Sequence, residues 1–271
     1  MMDQDIATRG LVLLGCGKMG SAMLAGWLTH GLPSQSVWII DPHPSDWLHT
    51  QQVHLNTDLP SDPAIVIIAV KPQMMGDALP VMAALGNGST CFVSIAAGTP
   101  IAHFEDVLGP QTPIIRAMPN TPAAVGQGMT ALIGNDQITD KHMNMAETLL
   151  QAVGRTVRLE DETQMDAVTA VSGSGPAYVF HMIEAMAAAG QAEGLSSALA
   201  LELAKATVAG AGALAMTAKE DPTQLRVNVT SPNGTTQAGL DVLMDERKGL
   251  KHLMKNTVKA AADRSRDLAR G

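Results

Sequence analysis

The residues best suited to chemistry begin at Gly15. Gly15-Cys16-Gly17-Lys18-Met19-Gly20 follows the apolar run Leu11–Leu14 and opens a helical stretch. Glycines at that spacing, set between a strand and a helix, form a phosphate-binding loop. Gly15 permits the tight turn, Gly17 lets the main chain approach a pyrophosphate, and Gly20 lets helix pack on strand. The helix start adds amide donors and the positive end of the helix dipole. Cys16 occupies a place where a small side chain is all that is needed, so it reads as packing rather than as a reactive thiol. Asp41 ends the second apolar run, 21 residues beyond Gly20. An acid there accepts hydrogen bonds from ribose hydroxyls and repels a 2′-phosphate, which favours NADH over NADPH. No arginine lies nearby, and Pro42-His43-Pro44 follows. The position also suits a plain turn acid after a strand.

Two later segments break helix-forming composition. Ser172-Gly-Ser-Gly-Pro-Ala-Tyr178 interrupts a helical region with small residues and a proline. Val229-Thr-Ser-Pro-Asn-Gly-Thr-Thr236 combines turn chemistry at Pro232-Asn233-Gly234 with a helix bearing Leu240, Leu243 and Met244 on one face. Thr235 and Thr236 then bring hydroxyls and free amides together at a helix start, a cradle for a small carboxylate. Thr235 as a simple N-cap accounts for the spacing equally well. Metal chemistry is not indicated. The two cysteines, Cys16 and Cys91, are far apart, and the eight histidines show no ligand spacing. His181 and Glu184 share a helix face but read as an ordinary pair.

The elements that must position these groups fall into two halves. Strand-like runs at 11–14, 37–40, 65–70, 90–96, 114–115, 129–133 and 156–159 alternate with helical stretches. Met19, Ala22, Met23, Gly26 and Trp27 share one helix face, which Gly31 and Pro33 end. Thr99 and Pro100 resemble an N-cap and first turn. This alternation predicts an α/β fold, a doubly wound sheet with helices on both faces. Strand signals stop near Glu160, and the rest is helical and rich in Ala, Gly and Met. The expected domains are therefore 1–160 and 161–271. Gly210 and Gly212, within Leu199–Met216, weaken a lone helix by about 1 kcal/mol each but allow close helix packing, against a second subunit by preference or within a plain intramolecular bundle.

Bulk properties narrow the partners. Lys and Arg number 18 against 26 Asp and Glu, a net charge of −8, and aromatics are only 3%. Such a chain is a poor fit to nucleic acid, which needs basic surface and stacking rings. The acidic, polar start MMDQDIATRG is unlike a signal peptide. The longest uncharged apolar stretch, 206–218, is short for a bilayer span. A soluble cytoplasmic protein with a small-molecule substrate is the expectation.

Taken together and in order, Gly15–Gly20, Ala69-Val70-Lys71-Pro72, Ser94–Gly98, Arg116–Pro122, Ser172–Tyr178 and Val229–Thr236 resemble the pyrroline-5-carboxylate reductase family nearly end to end. The resemblance implies an N-terminal Rossmann-type domain, an all-α C-terminal dimerisation domain, and a homodimer at least, often a decamer of five dimers. It implies NAD(P)H-dependent hydride transfer to the imine carbon of 1-pyrroline-5-carboxylate, giving L-proline as the last step of proline biosynthesis. By position, Ala69, Val70, Lys71 and Pro72 join the loop residues at the cofactor, and Asn56 matches a contact to the adenosine ribose. Met118 and Asn120 face the nicotinamide beside the substrate. Gly234, Thr235 and Thr236 hold the substrate, with the Thr236 hydroxyl bonded to the imine nitrogen as the catalytic group. Lys71, at a strand end, reads as a cofactor-loop residue rather than the acid. Asn233 stands where the family usually has glycine, and tolerates the left-handed conformation that such a turn needs. Many members carry a polar or basic residue at the place of Asp41 and accept NADPH, which opposes the lean toward NADH. The residues alone leave open a related imine or hydroxy acid as substrate, and a dinucleotide-binding scaffold without turnover.

Overall fold

A computed structural model describes residues 4–269. Eight strands form one sheet in the order β3-β2-β1-β4-β5-β6-β7-β8. They are β1 Leu11–Leu14, β2 Val37–Ile40, β3 His54–Leu55, β4 Ile65–Ile68, β5 Cys91–Ser94, β6 Ile114–Met118, β7 Gly128–Gly134 and β8 Gly154–Arg158. Strands β1 to β6 pair in parallel, so their carboxyl ends share one edge. The unbroken apolar runs of β1, β4 and β5 are buried throughout, as expected where helices cover both faces. Successive side chains alternate between two cores. Leu11, Leu13, Ile65 and Ile67 enter one, and Val12, Leu14, Val66 and Ile68 the other.

Helix α1 spans Gln4–Arg9, and α2, Lys18–Thr29, carries the phosphate-loop end into the first core through Met23 and Trp27. Gly31, at φ 90°, turns the chain after α2. Helices α3 Asp46–Thr50, α4 Met75–Ala78, α5 Ile101–Leu108 and α6 Asp140–Gln151 complete the sheet layers. Trp27 Nε1 donates to Leu149 O at 2.9 Å, tying α2 to α6.

Three local expectations change. Strand β7 is antiparallel to β6. The 119–127 link is too short for the crossover that parallel pairing needs. Ala69–Val70 and Ile95–Ala96 leave the sheet, so β4 and β5 are shorter than the apolar runs. Pro100, not Thr99, occupies the cap position of α5, since the helical backbone starts at Ile101. Proline has no side-chain acceptor, and the Ile101 N–H donates to Glu162 Oε1 at 3.0 Å.

From Asp161 the chain is helical: α7 Met165–Val168, a π turn at Thr169–Gly173, α8 Gly175–Ala192, α9 Ser197–Thr217, α10 Pro222–Asn228, α11 Thr235–Leu243 and α12 Leu250–Leu268. Pro176 falls in the first turn of α8, where a missing N–H costs nothing. Packing divides the chain at Gly173/Ser174, and the end of α12 from Ala262 rejoins the first unit. The division lies beyond 160 because side chains stitch 161–173 to the rest of the first unit. Arg116 Nη1 meets Glu162 Oε1 at 2.6 Å, Ser265 Oγ donates to Asp166 at 2.6 Å, and Asn120 Nδ2 reaches the Ser172 carbonyl at 3.3 Å.

Candidate functional site

The carboxyl edge of a parallel sheet is where such folds bind ligands, and here it opens into a cavity of about 590 Å³. Its walls include Gly15, Cys16, Gly17 and Lys18 from the loop after β1, Asp41 after β2, and Ala69, Val70 and Lys71 after β4. The loop glycines each have a distinct steric reason. Gly15 sits at φ 88°, and a Cβ there would lie 2.9 Å from Val70 Cγ1. A Cβ on Gly20 would lie 2.7 Å from the Gly15 carbonyl oxygen. Gly17 has open space where its Cβ would be, with nothing within 4 Å. Its bare face therefore leaves room for a ligand against the main chain. Lys18, Met19 and Gly20 begin α2, and the first amides of a helix have no partner within it. The cradle thus presents open space, unpaired donors and the Lys18 and Lys71 side chains, a set that fits a dinucleotide diphosphate.

Not every expected residue reaches the cavity wall. Met19 and Gly20 lie behind the loop in α2, Pro72 starts the turn after Lys71, and the Asn56 carboxamide is spent on the Asp41 main chain. Sequence reasoning missed Ser21, His43, Ser45 and Trp47 as wall residues. A signal was present for the last two. Ser45 caps α3, accepting from the Leu48 N–H at 3.3 Å, and that cap places Trp47 just past the end of β2. Cys16 is buried, with Sγ 3.5 Å from Ser21 Oγ. Burial foremost, and then the Asp41 charge, raises its thiol pKa, outweighing the Ser21 contact. A buried thiol with a raised pKa is a poor nucleophile, and Cys16 also lines the cavity. Burial likewise pushes Cys91 up to about 12.

Met118 ends β6 and Asn120 follows it at the same sheet edge. Asn120 Oδ1 accepts from the Met129 N–H at 2.8 Å, while Nδ2 reaches both the carbonyl and the hydroxyl of Ser172. Its amide group therefore binds loop to π turn. A Cβ on Gly173 would meet the Met118 methyl, so the bare glycine leaves room for the end of that side chain.

Gly234, Thr235 and Thr236 belong to the second unit. Ser231–Gly234 is a turn closed by Gly234 N–H to Ser231 O at 3.0 Å, with Asn233 at φ 58°. Asparagine thus fills the left-handed position as expected. Gly234 is the N-cap of α11, so Thr235 and Thr236 are its first two helical residues. Thr235 is not the cap. Both threonines are exposed, and their first-turn amides have no partner inside the helix. This end of α11 can hold a carboxylate and offers two hydroxyls beside it. His181 Nδ1 and Glu184 Oε2 lie 3.0 Å apart on exposed surface, and among the described residues no cluster of three His, Cys, Asp or Glu could hold a metal ion.

A parallel sheet with a glycine phosphate loop, followed by a helical unit, defines a nicotinamide-dependent oxidoreductase of the Rossmann type. Two family models match successive parts of the chain. That for NADP oxidoreductase, coenzyme F420-dependent, matches residues 10–98, and that for pyrroline-5-carboxylate reductase dimerisation matches 162–268. The chain is 37% identical over 270 residues to pyrroline-5-carboxylate reductase of Pseudomonas aeruginosa, covering 97% of this chain and 98% of that one. The Synechocystis enzyme is 39% identical over 269 residues, covering 96% and 98%. Among solved structures, a Coxiella burnetii pyrroline-5-carboxylate reductase superimposes with a TM-score of 0.90 at 30% identity, covering 97% of this chain and 99% of that one. Plasmodium falciparum pyrroline carboxylate reductase with NADP bound gives 0.85 at 27%, covering 99% and 100%. The chain belongs to the pyrroline-5-carboxylate reductase family.

Proposed function

We propose that this protein reduces 1-pyrroline-5-carboxylate to L-proline with NADPH or NADH. The observation that carries the reading is the pairing, in one family member, of a dinucleotide cradle at Gly15–Gly20 with a carboxylate cradle at Gly234–Thr236. When bound, reduced nicotinamide supplies a hydride, two electrons and a proton nucleus, to the imine carbon. The chain does the rest. The first-turn amides of α11 orient the substrate carboxylate, and the Thr236 hydroxyl hydrogen-bonds the ring nitrogen. That nitrogen gains one proton as the carbon gains hydride. Threonine is too weak an acid to supply the proton unaided, so Thr236 relays it from water or holds an iminium already formed. Lys71 serves the cofactor loop.

The working molecule in this reading is a homodimer at least, assembling to a decamer of five dimers, with no nucleic-acid partner. Helix α9 is long and apolar enough to cross a membrane by length and composition, since Glu202 and Lys205 do not interrupt it. It lies within the region matched to reductase dimerisation, and a second copy is its proposed cover. Both cysteines are free, which suits a cytoplasmic location.

The test follows reduced-cofactor absorbance with pyrroline-5-carboxylate, with NADH and NADPH side by side, in wild type and Thr236→Ala. Wild type oxidises at least one cofactor. Thr236→Ala loses turnover by about 10²-fold, the scale of a proton-handling group, while cofactor Kd stays within about twofold. No oxidation with either cofactor refutes the reaction, and unaltered kinetics in the variant refute the role of Thr236.

A further inference from the structure

Asp41 directly follows β2 and is only 9% exposed as a residue, and both of its carboxylate oxygens are engaged by main chain. Oδ2 accepts the Cys16 N–H at 2.6 Å, and Oδ1 accepts the His43 N–H at 2.8 Å. Asn56, held at φ 52°, grips the same residue through its backbone. Its Oδ1 accepts the Asp41 N–H at 2.9 Å, and its Nδ2 donates to the Asp41 carbonyl at 2.8 Å. Side-chain hydrogen bonds therefore run unbroken from the end of β3, through the end of β2, to the second residue of the phosphate loop.

We infer that Asp41, clamped by Asn56, is a positioning residue that braces the phosphate loop, and that it does not select NADH over NADPH. The inference deepens the proposed nicotinamide-dependent reaction. A selecting acid must offer its oxygens outward to ribose hydroxyls. Here Asp41 touches the cavity wall, but one lone pair of each oxygen is already committed to a main-chain amide, which fixes the carboxylate on the loop rather than leaving it to turn toward a ribose. A carboxylate–amide bond is roughly twice as strong as a neutral one, so the carboxylate holds Cys16 firmly and is itself held. The Cys16 N–H is spent inside the loop, leaving the first amides of α2 as the donors for phosphate. His43, Lys18 and Lys71 line the same cavity, so the charge that a 2′-phosphate meets is not set by Asp41 alone.

The experiment compares wild type, Asp41→Ala, Asp41→Asn and Asn56→Ala. NADH and NADPH are titrated separately by fluorescence quenching, for which Trp47 in the cavity wall is a reporter. Backbone hydrogen exchange of residues 15–20 is followed without cofactor. Asp41→Ala raises Kd for both cofactors by about tenfold, with their ratio unchanged within about twofold. Asp41→Asn, which keeps one acceptor, falls between. Asn56→Ala shifts both cofactors in the same direction although Asn56 is not a wall residue, and it carries the test if Asp41→Ala fails to fold. Exchange at Cys16 quickens in these variants while β4 and β5 stay protected. The inference is overturned if Asp41→Ala loses NADH alone while NADPH binds as well or better, or if Cys16 exchange is unaltered. Wild type binding neither cofactor refutes the reductase reading instead, and exchange at Cys16 still decides the brace.

Discussion

At the residue scale, the three loop glycines separate stability from binding. Gly20→Ala places a methyl against the Gly15 carbonyl, a main-chain atom that cannot swing aside. It should cost about 1–3 kcal/mol, seen as a lower urea midpoint. Gly17 has φ −69° and open space at its Cβ, so Gly17→Ala should melt like wild type. Its methyl would project into the cavity, and dinucleotide affinity should fall about tenfold or more as phosphate contact lengthens. A melting loss in Gly17→Ala, or unimpaired binding, would contradict the cradle. The glycine pattern was legible because one residue type meets one steric demand. Asn56 and Asn120 were not legible in the same way. Amides can face a ligand or the protein, and only the fold shows both carboxamides turned onto main chain.

At the element scale, the fastening of 161–173 governs where the first unit ends. Arg116 lies in a central strand with its side chain only 6% exposed, and Glu162 is its ion-pair partner. The same carboxylate caps α5 at Ile101. Glu162→Ala leaves a buried guanidinium without its counter-charge and a helix start without its acceptor. The loss should be about 2–3 kcal/mol, less than for a wholly buried pair because Glu162 is partly exposed. Urea unfolding measures it, and a change below about 0.5 kcal/mol, the range of ordinary surface substitutions, would deny the joint its role. Strand and helix alternation was visible from period and turn residues. The antiparallel turn of β7 and the remote cap of α5 were not, since each depends on what lies beside the element rather than within it.

At the scale of the whole molecule, the second unit buries little on its own. Its core is Ala187, Ala200 and Ala204 with Ile183 beside them, whereas Leu199, Leu201, Leu203 and Leu214 of α9 are exposed. Leu199, Leu203 and Leu214 share one face of this 21-residue helix and Leu201 lies opposite. An open apolar surface of that kind needs a cover, and the dimerisation match names one. Leu203→Glu should shift the assembled protein to monomer by light scattering and abolish turnover, while the sheet unit still binds reduced cofactor. Retention of the wild-type mass would locate the contact elsewhere on the unit.

Sequence by itself determined seven of the eight strands, all but the two-residue β3, together with the phosphate loop and the turn before Thr235, because periodicity, glycine spacing and proline act within a few residues of chain. The family pattern added the reaction. Only the tertiary structure decided which way Asp41, Asn56 and Asn120 face, where packing divides the chain, and how Glu162 serves two elements at once. These depend on partners such as Asn56 for Asp41, 15 positions away, Glu162 for Ile101, 61 away, and Ser265 for Asp166, 99 away, and no local rule of spacing carries that information.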